Sequence, residues 1–434
     1  MAVEISEITQ CPSDNLLTAA GLDDPATGPV DGYAFEVSGW VVSSAPAAEV
    51  EFTHEGSVVA RCPLSLPRPD VTGPHGNSPP VGFWKAIGTV GLAPAFTIGV
   101  RVVFQDGRRR NIAEIRGTQQ LISSFTQSMQ PIMLTSPGRS GSTLLMRMLA
   151  EHPDITVEQR FPYETYVCSY WLHFLQVLAR PMTSLPVGSH ELWMDLERLS
   201  PFPYFFIDPA TGPIPPEQAT LDRWYASDQV EEFARVAQAA VESFYRVNAS
   251  ARNQPPPAFF AEKIVPAGHV RNIMRLLYPG AREIFLVRDP RDTLVSLLAF
   301  HYKYGVVGGV DVQTAGTDEQ LITRVRNSIR GITELWKRRT QHSALVRYEE
   351  LICSPTEYVR EMLDALSLDS SATIVDSMVK AGKETTANVN AHLTSPNIAS
   401  SIGRWKRDLE PRLQKICDEA FDGLLDELGS SRVS

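Results

Sequence analysis

Two rhythms of apolar and polar positions divide the chain. Over residues 96–104 (FTIGVRVVF) apolar side chains alternate, with Phe96, Ile98, Val100, Val102 and Phe104 on one face, and Asp106-Gly107 supplies a turn before NIAEI. AEVEFTHEGSVVA repeats the pattern, with Val50 and Phe52 ahead of Glu55-Gly56 and Val58 and Ala60 after it. Residues from about 30 to 117 therefore read as an all-β unit, a small antiparallel sandwich within an N-terminal module set at 1–125. PLSLPRPDVTGPHGNSPPVGF, between the two hairpins, is so rich in proline and glycine that it reads as a long ordered loop.

From about residue 130 short apolar runs end in turns and feed helices, the pattern of a parallel sheet. The strands expected are PIMLTS (131–136), AFFAEK (258–263), EIFLVR (283–288) and SALVRY (343–348). Ser354, Pro355 and Glu357 supply a cap, a first-turn proline and a capping-box glutamate ahead of Val359, Met362, Leu363 and Leu366. Thr317 and Gln320 do the same for a helix carrying Leu321, Val325, Ile332, Leu335 and Trp336. Residues 126–434 are thus expected as one α/β domain, with a largely helical insertion at about 165–257 lying over the sheet edge. No internal repeat is found.

With 434 residues and 43% apolar content, each of two domains has material for a core. A net charge of -10 argues against a nucleic-acid partner and makes any anion site a local cluster. The N-terminus lacks the basic start and apolar core of a leader, and no run of about 18 apolar residues occurs, so a cytoplasmic protein without a transmembrane segment is expected. Five scattered cysteines (Cys11, Cys62, Cys168, Cys353, Cys417) offer neither zinc-site pairs nor a disulfide scaffold and read as reduced, buried and inert. Oligomeric state is not legible.

SPGRSGSTLLMRML, residues 136–149, places a glycine-rich turn between a strand and a helix, where backbone N–H groups and the helix dipole favour an anion. A triphosphate loop needs G-x-x-x-x-G-K-[ST], but here Gly141 is followed by Ser142 and Thr143, and the cation comes earlier, at Arg139. That suits a smaller anion held without a metal; the plain alternative is an ordinary capped turn. EIFLVRDPRDTLVS is a second strand-turn-helix with Arg288 at the strand end and Ser296 eight residues on, a guanidinium and a hydroxyl able to grip another phosphate. The alternative is that Arg288 and Asp289 pair with neighbours at the turn while Pro290 and Arg291 start the helix.

In this combination the chain resembles the sulfotransferases that use 3′-phosphoadenosine 5′-phosphosulfate (PAPS), and GRSGSTLLMRMLAEHPDI resembles their protein-tyrosine and bacterial branches. RYEEL (347–351) and IGRWKRDLEP (402–411) extend the resemblance in the same order to about residue 425. It implies a P-loop-like three-layer sandwich around a parallel sheet, preceded here by the β-sandwich. It implies PAPS as sulfuryl donor without a metal, its 5′-phosphosulfate held by Gly138, Arg139, Ser140, Gly141, Ser142 and Thr143, its 3′-phosphate by Arg288 and Ser296. Tyr348, Arg404 and Lys406 would approach the nucleotide beside Trp405, and Lys263 would support the leaving oxygen. For the base that activates an acceptor hydroxyl, HPDITVEQRFPYET departs from the protein-tyrosine branch: Glu158 is one residue short of the branch's glutamate and Arg160 lies near its place. Glu158 is the first candidate, Glu164 the second and His269 the third.

The resemblance implies a hydroxyl-bearing acceptor. The N-terminal module resembles sandwich modules that bind carbohydrate or mediate assembly, which leans the expectation toward a carbohydrate or glycolipid. Tyr166, Tyr170, Trp171, Trp193, Phe202, Tyr204, Phe205 and Trp224 could line a sugar, lipid or aryl pocket, or form the core of a lid. Two other functions stay open: a P-loop kinase of small molecules, and a glycan-binding scaffold with a degenerate transferase domain.

Overall fold

The computed structural model describes residues 2–71, 79–181, 220–221, 223–264, 268–304, 306–307, 310–311, 318–384 and 386–427. By contacts the chain forms two compact units, each discontinuous in sequence: Met1–Thr126, Tyr170–Ala240 and Ala267–Pro279 make the first, and Gln127–Ser169, Val241–Pro266 and Gly280–Ser434 the second. Trp193, Phe202, Tyr204, Phe205 and Thr317 lie outside the described residues.

The first unit contains ten strands: β1 Val3–Gln10, β2 Leu17–Asp24, β3 Gly28–Val30, β4 Ala34–Ser43, β5 Ala47–His54, β6 Ser57–Pro63, β7 Leu66–Pro67, β8 Val81–Gly88, β9 Ala95–Phe104 and β10 Arg109–Gln119. They form two antiparallel sheets in the orders β3-β1-β10-β9-β5-β6 and β2-β4-β8-β7. The alternating face of β9 is buried as its pattern requires, and Phe96 stacks on Phe35 of the other sheet at 6.2 Å between ring centroids, while Phe52 meets Phe83 at 6.3 Å. The β structure starts earlier than the expected residue 30, because Val3 and Ile5 of β1 and Leu17 of β2 are buried. The stretch expected as a loop carries β7 and the start of β8, where Phe83, Ala86 and Ile87 bury their side chains in pairs rather than in alternation. Helical parts of this unit are residues 170–178, 229–240 and Gly268–Leu277, the first two belonging to helices that continue into the second unit.

The second unit is built on β11 Gln130–Thr135, β12 Ile155–Val157, β13 Phe259–Ile264, β14 Arg282–Val287 and β17 Ser343–Arg347, with a two-stranded ribbon, β15 Val306–Val307 and β16 Val310–Asp311, between the last two. The five form one parallel sheet in the order β12-β13-β11-β14-β17. Along β14, Ile284 and Leu286 join a core with Ser142–Leu149, Pro355–Ala365 and Ala372–Lys383, while Phe285 and Val287 join another with Pro290–Tyr304, Asp318–Lys337 and Pro411–Phe421. Helices on both faces make a three-layer α/β sandwich and explain why these strands carry short runs of adjacent apolar residues rather than an alternation. Because β11 has β13 on one side and β14 on the other, the turns after β11 and β14 open together at the carboxyl edge where the strand order reverses.

Helix Pro355–Ala365 begins as expected, though Ser354 makes no side-chain cap, so the capping box does not form. Among the cysteines Cys353 is exposed and Cys11 half-buried, against the expectation of burial; all five are free thiols. Among the described residues no helix is long and apolar enough to cross a membrane, and no group of three or more His, Cys, Asp or Glu could hold a metal.

Candidate active site

A cavity of about 650 Å³ lies in the second unit, walled by the turns after β11 and β14, by the end of β13 and by residues 389–401. The first wall is the glycine turn. Gly141 has φ 97°, and a Cβ there would come within 2.4 Å of the Tyr348 ring, so only glycine lets the loop lie on that tyrosine. Gly138 has open space around its missing Cβ, and Ser140 is buried behind the loop, donating to the Pro137 carbonyl at 2.7 Å. Arg139, with φ 66°, adopts a left-handed conformation rare outside glycine, and its side chain holds it there. Its Nε donates to Ser296 Oγ (3.2 Å), Nη1 to His392 Nε2 (2.7 Å) and Nη2 to the His392 carbonyl (3.0 Å), with the Phe300 ring 4.5 Å from the guanidinium carbon.

Arg288, 5% exposed at the end of β14, donates through Nη1 to the Arg139 carbonyl (3.1 Å) and through Nη2 to the Ser401 carbonyl (2.5 Å). It lies 4.6 Å from the Tyr348 ring centre, and its Nε is buried without a hydrogen-bond partner. A buried guanidinium with an unused N–H is what an anion site retains when only its protein contacts are made. Tyr348 is fixed through its hydroxyl to Ser401 Oγ at 2.9 Å. The two basic turns of the sequence are therefore one cluster.

β13 brings a second cation to the glycine turn. Parallel pairing sets Lys263 opposite Leu134, and its Nζ donates to Thr143 Oγ1 (3.1 Å), the Pro162 carbonyl (2.7 Å) and Glu164 Oε1 (3.2 Å). Burial pushes the Lys263 ammonium below its usual range; Glu164 opposes that shift and Arg139 adds to it. Glu164 is 45% exposed on the cavity wall between Phe161 and Tyr166, whose hydroxyl burial raises to about 12. Residue 262, beside the lysine, anchors this segment: Glu262 accepts the Cys168 (2.8 Å) and Ser169 (3.0 Å) N–H groups and the Tyr245 hydroxyl (2.7 Å). Burial raises its carboxyl pKa, and those donors oppose the shift.

Gly138, Arg139, Gly141, Ser142, Thr143, Glu164, Lys263, Arg288, Ser296 and Tyr348 all line the cavity. Ser140 lies behind it, as above. Glu158 is not on its wall: Oε1 accepts the Arg160 N–H at 3.0 Å, and Oε2 is buried without a partner. Arg404 is also off the wall, bonded to Asp408 (2.7 Å) and to the Thr394 carbonyl (2.8 Å), while Trp405 carries Arg291 at 3.9 Å and Lys406 at 5.7 Å. His269 belongs to the first unit, where its Nε2 meets His173 Nδ1 at 3.3 Å. His392, Phe161, Phe300 and Thr394 were not singled out by the sequence; no local motif surrounds them, and the fold alone brings them to the wall.

A model of the sulfotransferase family matches residues 131–372, more than half of the chain. Among solved structures, the sulfotransferase domain of a Synechococcus olefin synthase is similar at 20% identity and a TM-score of 0.37, with 70% of this chain and 98% of that domain covered. The sulfotransferase domain from the curacin biosynthetic pathway gives 17%, 0.38, 68% and 98%. A mouse sulfotransferase complexed with PAP gives 13%, 0.38, 71% and 91%. A search of curated proteins finds no match.

Proposed function

The chain belongs to the sulfotransferase family, and we propose that it transfers the sulfuryl group of PAPS in line to a hydroxyl of an acceptor, releasing 3′-phosphoadenosine 5′-phosphate (PAP). The observation that carries the donor assignment is the buried Nε of Arg288 beside the glycine turn, left without a hydrogen-bond partner while both terminal nitrogens of the same guanidinium are engaged. In this reading the amides of 140–143 and Arg139 hold the phosphosulfate end, and Arg288 with Ser296 holds the 3′-phosphate. Tyr348 supports both from below.

When bound, PAPS supplies the sulfuryl group, whose sulfur gains a bond to the acceptor oxygen and loses its bond to the bridging phosphate oxygen. Glu164 takes the acceptor proton, a role favoured over Glu158 by its place on the wall, 3.2 Å from Lys263. Lys263 Nζ meets the charge that builds on the departing oxygen, and with Arg139 it provides preorganised stabilisation. No residue in the turn plays the part of a triphosphatase lysine, which disfavours the kinase alternative, while the intact Arg139, Arg288 and Ser296 disfavour a degenerate scaffold. A carbohydrate or glycolipid remains the proposed acceptor class on the strength of the β-sandwich module, and a cytoplasmic location is proposed with it.

Label transfer from [³⁵S]PAPS to a panel of phenols, sugars and a glycolipid tests this reading. Glu164→Gln should lower transfer by about 10²–10⁴-fold while Glu158→Gln retains it. The reverse outcome would move the base to Glu158, and no transfer to any hydroxyl by the wild type would count against the whole assignment.

A further inference from the structure

His392 sits at the end of the short helix Ala387–His392, and everything around it is arranged to hold it against Arg139. Lys303 Nζ donates to the carbonyls on either side of it, Ala391 (2.5 Å) and Leu393 (3.2 Å), fixing the backbone. The Phe161 and Phe300 rings each stand 5.3 Å from the imidazole, at 87° and 64° to its plane, fixing the ring. Its Nε2 and its own carbonyl then face the two terminal nitrogens of one guanidinium, at 2.7 and 3.0 Å. Since arginine only donates, Nε2 must accept, and the imidazole is the neutral tautomer with its proton on Nδ1. Burial, then the positive charges of Arg139 and Lys263, hold its pKa at about 4; Glu164 opposes them and Lys303 adds a little. Arg139 needs such a holder, because its left-handed backbone is strained and persists only where the surroundings impose it.

We propose that His392 is a positioning residue: a neutral hydrogen-bond acceptor, delivered from the far end of the chain, that aims the Arg139 guanidinium at the anion. The role rests on the sulfuryl-transfer reading above, and it identifies why residues 389–401 belong to the site rather than merely covering it. Glutamine can present an amide oxygen where Nε2 lies, whereas leucine fills the space without an acceptor.

The test is calorimetric titration of the full chain with PAP, for the wild type, His392→Gln and His392→Leu, together with thermal midpoints. Losing one well-placed charge-assisted contact should weaken PAP binding about 10- to 100-fold in His392→Leu, and His392→Gln should stay within about threefold of the wild type. Both variants lose the ring's packing between Phe161 and Phe300, so their midpoints should fall alike. Equal loss of affinity in the two would show a packing role and overturn the proposal, as would full affinity in His392→Leu. The wild-type to Gln affinity ratio should also be flat from pH 5.5 to 7.5, a comparison that cancels the ligand's own titration; a step near the ordinary imidazole pKa of about 6.5 would show a freely titrating ring and overturn it too. Absence of PAP binding in the wild type is a separate result, which removes the donor assignment itself.

Discussion

Replacing Gly141 by alanine tests how the glycine turn is held. Two costs can be worked from the geometry. At φ 97° a Cβ adds roughly 1–2 kcal/mol of backbone strain. The same Cβ would lie 2.4 Å and 2.7 Å from Tyr348 Cδ2 and Cε2. That ring cannot easily retreat: it is 6% exposed, tied to Ser401 through its hydroxyl, and covered by Arg288 at 4.6 Å. Overpacking of this kind adds about 1–3 kcal/mol, for a sum of roughly 2–5 kcal/mol. If the loop keeps its shape, the second unit's thermal midpoint falls by roughly 4–20 °C; if it relaxes, PAP binding weakens by about 30-fold or more. Scanning calorimetry with and without PAP reads both. A double-mutant cycle with Tyr348→Ala should recover the overlap, a coupling of about 1–3 kcal/mol, and leave the backbone strain. Unchanged midpoint and affinity in Gly141→Ala, or a cycle without coupling, would refute the claim that the loop rests on Tyr348.

Two further outcomes follow from the same site. Burial lowers the pKa of Lys263 and Glu164 raises it, and only the charged ammonium attracts an anion, so PAP affinity should decline as pH rises through a value below the usual 10.5. In Glu164→Gln that alkaline limb should move to still lower pH; a limb that stays in place, read by titration across pH 7–10, would show that Glu164 does not support the lysine. Asp292, buried at the start of helix Pro290–Tyr304, accepts the Gly403 and Trp405 N–H groups at 2.6 and 3.0 Å. Asp292→Ala should cost about 2–4 kcal/mol by leaving both donors unpaired and should open residues 403–405 to proteolysis, whereas an unaltered midpoint and digestion pattern would contradict that anchoring.

What could be read beforehand follows from burial and chain separation. β11, β13, β14 and β17 were legible to within a residue or so because helices cover both their faces, so each carries a run of adjacent apolar residues. β12 has only three residues, and β8 buries its side chains in pairs, so neither presents a period to detect. The glycine turn was legible because Arg139 and Gly141 lie two residues apart in sequence. Lys263 was picked out by resemblance rather than by any feature of AFFAEK, and the structure adds its reach to Thr143 and Glu164. His392 lies 253 residues from Arg139, and nothing in NAHLTS marks it as an acceptor for that guanidinium. Spacing after HPD likewise could not separate Glu158 from Glu164, since the choice depends on which side of the backbone at 158–164 faces the cavity.

The most direct measurement is calorimetric titration of the full chain with PAP without metal, beside ATP with magnesium, for the wild type and Arg288→Ala. The account predicts metal-independent PAP binding in the wild type, weakened by about 30-fold or more when Arg288 is truncated. Binding of ATP with magnesium alone, or PAP binding indifferent to Arg288→Ala, would contradict it.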